Sequence, residues 1–269
     1  MPGFMDKDTL LKGLSAAARE AGEHALGFFR SGEKTSARVD YKDGGSPVSE
    51  ADLAANEILR QRLEQLMPGA GWLSEETADE AVRLEKSRVF IVDPIDGTRA
   101  FVNGDPRWGV SVALVENGVP LAGALYMPAL GEMYEAWRGG GAARNGHPIT
   151  ASGRAALAHA RLAAPAKAFP ELEKQGLNLV REPRVPSLAY RLAKVASGEI
   201  DCAIASTNAW DWDIAAADLL IREAGGVLSD LEMRPPVYNN PVPRHGVLTA
   251  APVPLHGELV AAIRRIPGQ

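Results

Sequence analysis

Arg88-Val89-Phe90-Ile91-Val92-Asp93-Pro94-Ile95-Asp96-Gly97-Thr98 is the stretch on which the reading of this chain turns. Residues 88–92 form a short β-rich run of the kind that makes a buried strand. The run ends by presenting Asp93. Pro94 removes a backbone donor, and a tight turn is expected to bring Asp96 back beside Asp93. Two carboxylates held this close repel unless a cation lies between them. Oxygen ligands of this kind suit Mg²⁺, which keeps waters and binds through carboxylates and phosphate oxygens. Gly97 and Thr98 then offer backbone N–H groups and a hydroxyl at a helix start, a natural seat for phosphate. Taken alone, Asp-Pro-x-Asp-Gly reads equally well as a good turn sequence. The signature Asp-x-Asp-Gly-Thr of haloacid-dehalogenase phosphatases, whose first Asp is a covalent nucleophile, does not fit, because two residues separate the acids here.

Three further segments carry acids at the ends of regular elements. In Trp72-Leu73-Ser74-Glu75-Glu76-Thr77, apolar residues lead straight into two carboxylates, as at a strand tip. In Trp210-Asp211-Trp212-Asp213-Ile214-Ala215-Ala216-Ala217-Asp218, the periodicity predicts a helix over residues 214–224 with Asp213 at its N-terminus. Its apolar face is Ile214, Ala217, Leu220, Ile221 and Ala224; Asp218 and Arg222 form an i,i+4 pair, and Gly225 stands at C′. In Tyr41-Lys42-Asp43-Gly44-Gly45-Ser46-Pro47-Val48-Ser49-Glu50-Ala51-Asp52, a polar loop runs into a helix whose first turn carries Glu50 and Asp52. Each segment has an ordinary explanation by itself: a solvated turn, a helix cap, or acids complementing a helix dipole. Four of them in one chain are hard to obtain by chance.

The rest of the sequence bounds the answer. Its 269 residues are enough for one large domain or two halves, and 46% hydrophobic with 23% charged residues is an ordinary globular composition. A net charge of -5 argues against nucleic acid or an anionic membrane as main partner, though not against a small phosphorylated molecule that meets a metal. One cysteine, Cys202, excludes an internal disulfide and a cysteine zinc site and reads as a small buried hydrophobe. Residues 1–9 carry acids and no apolar stretch, so a signal peptide is not expected and a cytoplasmic location is. The five histidines are scattered and read as surface or structural residues. Gly139-Gly140-Gly141 lacks the final Gly of a dinucleotide fingerprint.

Helices are expected over residues 7–29, 50–66, 188–197 and 255–265. Strands are expected over 88–92, 109–115, 119–126, 133–137, 200–205 and 226–228, with Asn117-Gly118 as a hairpin turn. Lys42 to Pro47 reads as a loop. Two units follow: residues 1–150, an α+β half, and 151–269, an Ala-rich α/β half, sharing a core or a cleft.

With these motifs together, Asp-Pro-Ile-Asp-Gly-Thr, Trp-Asp-x-Ala-Ala and the preceding Glu-Glu, the sequence resembles the inositol monophosphatase superfamily of lithium-sensitive, magnesium-dependent phosphatases. The resemblance spans nearly the whole chain and implies a mixed α/β, layered αβαβα sandwich, usually a homodimer. It implies that Glu75, Asp93 and the Ile95 carbonyl hold one Mg²⁺, and Asp93, Asp96 and Asp213 a second. By the same likeness Asp52 supports a third, weaker metal or helps orient the attacking water, which Thr98 and Glu75 position. Lys42, Asp96, Gly97, Thr98, Ser187 and Asp213 are implied to face the substrate, a small phosphorylated metabolite. Nucleotidases of the CysQ type, which remove the 3′-phosphate of 3′-phosphoadenosine 5′-phosphate, look closest around residues 41–52 and 73–76. Inositol-specific members tend to carry a Glu shortly before the Trp-Asp motif. Here that stretch is Ala205-Ser206-Thr207-Asn208, and the family's Gly-Ser/Thr-Ala-Ala segment is Pro186-Ser187-Leu188-Ala189. Inositol-1-phosphate or a broader set of sugar phosphates is the alternative substrate, and a non-catalytic metal- and phosphate-binding regulator is the distant one.

Overall fold

The computed structural model describes residues 6–267, so the first five residues of the acidic N-terminal stretch and the last two of the chain lie outside the described residues. Helix α1 (Lys7–Leu26) starts on Asp6, whose side chain accepts the Thr9 N–H. A short hairpin of β1 (Val39–Tyr41) and β2 (Pro47–Ser49) leads into α2 (Glu50–Leu66). Then come β3 (Gly71–Ser74), β4 (Arg88–Asp96), α3 (Thr98–Val102), β5 (Gly109–Glu116), β6 (Val119–Met127), β7 (Glu132–Trp137), β8 (Gly141–Arg144) and β9 (His147–Pro148). The later chain gives β10 (Arg161–Ala163), α4 (Ala168–Lys174), β11 (Val180–Arg181), α5 (Leu188–Ala196), β12 (Cys202–Ala205), β13 (Ala209–Trp210) and α6 (Asp211–Glu223). It closes with β14 (Gly226–Ser229), β15 (Arg244–His245), β16 (Leu248–Pro252) and α7 (Val253–Arg264).

Strands β3 to β9 form a seven-stranded sheet in chain order, parallel only at β3/β4. A five-stranded mixed sheet has the order β11-β10-β12-β16-β14. Helices α1 and α2 cover one face of the first sheet through Leu10, Leu14, Leu59 and Leu63 against Phe90, Val112 and Leu114. Helices α5 and α6 fill the space between the sheets, and α4 and α7 cover the far face of the second. The result is the layered αβαβα sandwich, with one apolar cluster joining residues from Leu73 to Ala250.

Several boundaries move for physical reasons. Helix α1 stops at Leu26, short of residue 29, because Gly27 caps it, and Phe29 turns into a separate aromatic cluster with Phe101 and Trp108. Helix α6 begins three residues earlier than its apolar period indicates. It is buried on more than one face: Ala215, Ala216 and Leu219 are covered as fully as Ile214 and Leu220, since a sheet lies on each side. Strand β16, second from the edge of its sheet, has the sequence Leu248-Thr249-Ala250-Ala251-Pro252 and shows no polar alternation. Cys202 is buried in β12, where burial pushes its thiol up to about 12.

Close contact between α6 and the first sheet depends on small residues. A Cβ at Gly123 in β6 would lie 3.2 Å from both the Cα and the carbonyl oxygen of Ala216. Backbone cannot yield as a side-chain tip can. Gly123→Val is therefore expected to cost about 1–3 kcal/mol, read as a fall of several degrees in melting temperature. An unchanged melting curve would show slack between these layers.

Candidate active site

Strand β4 does not end at residue 92. It runs on to Asp96 with an irregular register: Asp93 pairs with Ser111 and Asp96 with Gly109, so three steps on β4 match two on β5. Residues three apart on a regular strand face opposite ways. The extra residue of this bulge brings Asp93 and Asp96 to the same side, and Pro94, which has no N–H to give a ladder, is tolerated there. The expected tight turn is thus replaced by a bulge with the same consequence. The Ile95 N–H donates to Asp93 Oδ1 at 3.0 Å and stiffens it. Gly97 then takes the left-handed conformation (φ 93°) and α3 starts at Thr98.

Helix α6 brings the third carboxylate. Asp213 lies in its first turn, and Asp213 Oδ2 accepts the Trp210 N–H at 2.7 Å. Asp93, Asp96 and Asp213 each place an oxygen within 4.8 Å of the others. Among the described residues none of the three forms an ion pair. Burial raises the Asp93 carboxyl well above the usual range, and Glu75, Asp96 and Asp213 add to it. Burial does the same to Asp213. Asp96 rises less, to about 6, because burial is opposed by donors from α5. These are Ser187 Oγ, the Ala189 N–H at 2.7 Å and the Leu188 N–H at 3.2 Å. An all-oxygen trio short of positive charge fits a hard divalent cation.

The remaining expected site residues surround this trio. Asp52, in the first turn of α2, caps Ser49 through Oδ2 and accepts the Thr98 hydroxyl at Oδ1, 3.2 Å away. That hydroxyl also lies 3.1 Å from the Ile95 carbonyl oxygen. Burial lifts Asp52 to about 6. Glu75 is not in the close trio; its Oε1 accepts from Lys42 Nζ at 2.9 Å, and Glu76 Oε1 from the same ammonium at 2.7 Å. Burial carries Glu76 to about 7 despite Lys42. Ser187 is fully buried as the cap of α5, its oxygen engaged with Asp96 and the Tyr190 N–H.

Sequence reading passed over Arg191. It projects from α5 and lines a chamber of about 190 Å³ with Ser206, Thr207, Asn208 and Asp213. Arg191 and Ser206 also line a larger cavity of about 590 Å³. One arginine on the polar side of an amphipathic helix gives no signal of this in the sequence. Asp211, also unassigned, is buried and holds His245 Nε2 at 2.7 Å and the Asn239 N–H at 2.8 Å, a structural tie beneath the Trp210–Trp212 stack.

A layered sandwich with a carboxylate cluster at the join of its first sheet and central helices defines a metal-dependent phosphatase architecture. The sequence profile of the Inositol monophosphatase family matches residues 6–267. An inositol-1-monophosphatase of Mesorhizobium japonicum is 37% identical over 238 residues, covering 85% of this chain and 88% of that protein. A 3′(2′),5′-bisphosphate nucleotidase CysQ of Aggregatibacter actinomycetemcomitans is 32% identical over 242 residues, 86% and 87% of the two chains. The crystal structure of the extragenic suppressor protein suhB of Bartonella henselae superimposes with a TM-score of 0.84 at 30% identity, over 97% of this chain and 99% of that one. The chain belongs to the inositol monophosphatase family.

The raised carboxyls make stability depend on pH and metal. Folded-state values near 6 for Asp52 and Asp96 and near 7 for Glu76 lie above their ordinary 3.8 and 4.5. Such groups stabilise the fold fully below the unfolded value, and that contribution is lost as pH rises through the folded one. The metal-free protein should therefore melt several degrees lower at about pH 8 than at about pH 5, and Mg²⁺ should restore stability chiefly at the higher pH. Calorimetry in EDTA and in Mg²⁺ checks this; metal-free stability that increases over that range would contradict it.

Proposed function

We propose that this chain hydrolyses the phosphomonoester of a small metabolite with Mg²⁺ held at Asp93, Asp96 and Asp213, joined by Glu75 and the Ile95 carbonyl. The observation that carries the reading is the convergence within 4.8 Å of three carboxylates, Asp93 and Asp96 buried and Asp213 partly buried, none of them in an ion pair among the described residues. Bound Mg²⁺ would neutralise charge on the phosphoryl and leaving oxygens and activate water.

The protein's own groups do the positioning. Asp52 fixes the Thr98 hydroxyl, which can accept from the attacking water while donating to Asp52 or Ile95. A carboxyl near 6 is matched to taking up a proton at neutral pH, which suits Asp52 to this role. Lys42, held by Glu75 and Glu76, would lie over the phosphate. Gly97 is left-handed, and its missing Cβ would stand 3.3 Å from the Ser187 nitrogen, so the turn and the start of α5 pack closely beside the phosphate. No side chain is required as a covalent nucleophile.

For the substrate, the wall beside Asp213 supports a nucleotide first. Ser206, Thr207 and Asn208 line it without a carboxylate to receive polyol hydroxyls. The proposed reaction is that of a 3′(2′),5′-bisphosphate nucleotidase, 3′-phosphoadenosine 5′-phosphate to AMP. Inositol 1-phosphate is the second reading, favoured by the relative at 37% identity. The family likeness also carries the proposal of a homodimer.

Phosphate release by the purified protein tests the reaction. It should require Mg²⁺, be inhibited by Li⁺, and fall at least ~1,000-fold in Asp93→Asn, since loss of a metal ligand removes several kcal/mol of charge stabilisation. Release that persists in EDTA or survives Asp93→Asn rules out the metal reading. Specificity constants for 3′-phosphoadenosine 5′-phosphate, inositol 1-phosphate, fructose 1,6-bisphosphate and histidinol phosphate then decide the substrate. A wide margin for inositol 1-phosphate would defeat the nucleotide reading.

A further inference from the structure

The cavity of about 590 Å³ that adjoins the Asp213 chamber through Arg191 and Ser206 has a size suited to a small-molecule leaving group. Its charge is unusual for this molecule. The chain as a whole carries -5, yet the cavity is lined by Arg181, Arg184 and Arg191 against one acid, Glu182. The arginines are not neutralised by carboxylates. Arg191 donates to two neutral acceptors, the carbonyl oxygens of Ile204 at 3.3 Å and Val185 at 2.9 Å. Arg181 donates to the Ala166 carbonyl at 3.3 Å and lies 4.1 Å over the Phe169 ring. Arg184 is exposed, and its guanidinium has no hydrogen bond or ion pair among the described residues; only its carbonyl is engaged, by Arg107. Burial lowers the Arg191 value, Asp96 opposes this, and Arg184 adds to the lowering, which places two like charges close enough to feel each other.

A half-buried guanidinium beside another cation, with no carboxylate in direct contact and Asp96 acting only from a distance, is costly to maintain for packing alone. Arginine is also the side chain best shaped to grip phosphate with paired N–H groups. The position matters as much as the charge. The cavity is reached from the carboxylate cluster by way of Arg191, so it lies where the departing part of the substrate would sit while its phosphomonoester is at the metals. A neutral polyol can accept hydrogen bonds from these arginines but gains no charge attraction, and a cationic amine is repelled.

We propose that Arg184 and Arg191 form an anion subsite for the leaving group, which makes a phosphomonoester bearing a second phosphate the preferred substrate class. This rests on the phosphatase reading above, and it assigns residues and a selection rule that the reaction itself does not require. No covalent step is added: the second phosphate is bound and released unchanged.

The test compares substrates that differ only in the second anion. Adenosine 3′-phosphate is set against adenosine 3′,5′-bisphosphate, and fructose 1-phosphate against fructose 1,6-bisphosphate, with inositol 1-phosphate alongside, all with Mg²⁺. Wild-type protein should prefer the bisphosphate of at least one pair by about tenfold or more in kcat/KM, the scale of one charge-assisted contact. Arg184→Gln should bring that ratio to within about threefold of unity, mainly through KM, and Arg184→Glu should invert it. Arg184 carries the test because it is exposed and tied to nothing, whereas removing Arg191 also breaks its bonds to Val185 and Ile204. A preference that survives both Arg184 variants, or no preference in either pair while inositol 1-phosphate is hydrolysed, overturns the subsite and leaves the phosphatase standing. No Mg²⁺-dependent release from any of the five compounds overturns both.

Discussion

Mutual repulsion among three closely set carboxylates, two of them buried and the third partly so, is the constraint around which this molecule is arranged. With oxygens no more than 4.8 Å apart, a fully ionised pair costs roughly 3 kcal/mol or more at an effective dielectric of about 20. Three such pairs come to about 10 kcal/mol, and taking each ion out of water adds several more, whereas each hydrogen bond to a carboxylate offsets about 1.5–3 kcal/mol, so the caps on Asp96 and Asp213 do not hold the whole trio ionised by themselves. Protons or a cation must supply the difference. That is why burial and like charge raise these carboxyls, and why a site so unfavourable when empty of positive charge is well suited to divalent metal. Two helix N-termini help: α5 directs three donors at Asp96, and α6 holds Asp213 in its own first turn.

Such a cluster requires rigid delivery from separate parts of the chain. Asp93 and Asp96 come from one bulged strand, the second from the edge of the first sheet, and Asp213 from the helix layer behind it. The distance between them is therefore set by how closely α6 approaches that sheet, which the pairing of Gly123 with Ala216 fixes at backbone contact. The Ala-rich sequence of α6 serves packing against two sheets and the site at once. Ser111, on the strand that faces Asp93, also reaches the Trp212 carbonyl, which ties the two deliveries together.

The parts of this arrangement legible in the sequence were those with local causes. The Asn117-Gly118 hairpin appears as expected, with both residues at positive φ, and α2 starts on Ser49 and ends before Pro68 as its signals require. The acid-bearing segments could be recognised because each stands at the end of an element. Less visible was how Asp93 meets Asp96, since a bulge and a turn draw on the same residues, Pro and Gly. Strands β10 and β16 escaped notice because runs of three and five residues are too short to show a period, and their identity as strands comes from neighbours far away in the chain. Arg191 was hidden for the same reason. Its significance depends on a cavity that no local pattern encodes.

Chemistry and selection are housed in different kinds of structure. The carboxylates sit on a long, buried strand and a buried helix, where small shifts would separate them. The adjoining cavity is built from short strands, loops and the less buried side of α5, where side chains can change without disturbing the layers. Relatives of similar length and identity carry names that specify different phosphate esters, as this division of labour would allow. The charge distribution of this chain adds a directional element: an acidic cluster suited to a cation lies next to a wall of three arginines and one acid, Glu182. A substrate with one anion at each end would satisfy both at the same time. A substrate with a single phosphate would leave the wall to solvent.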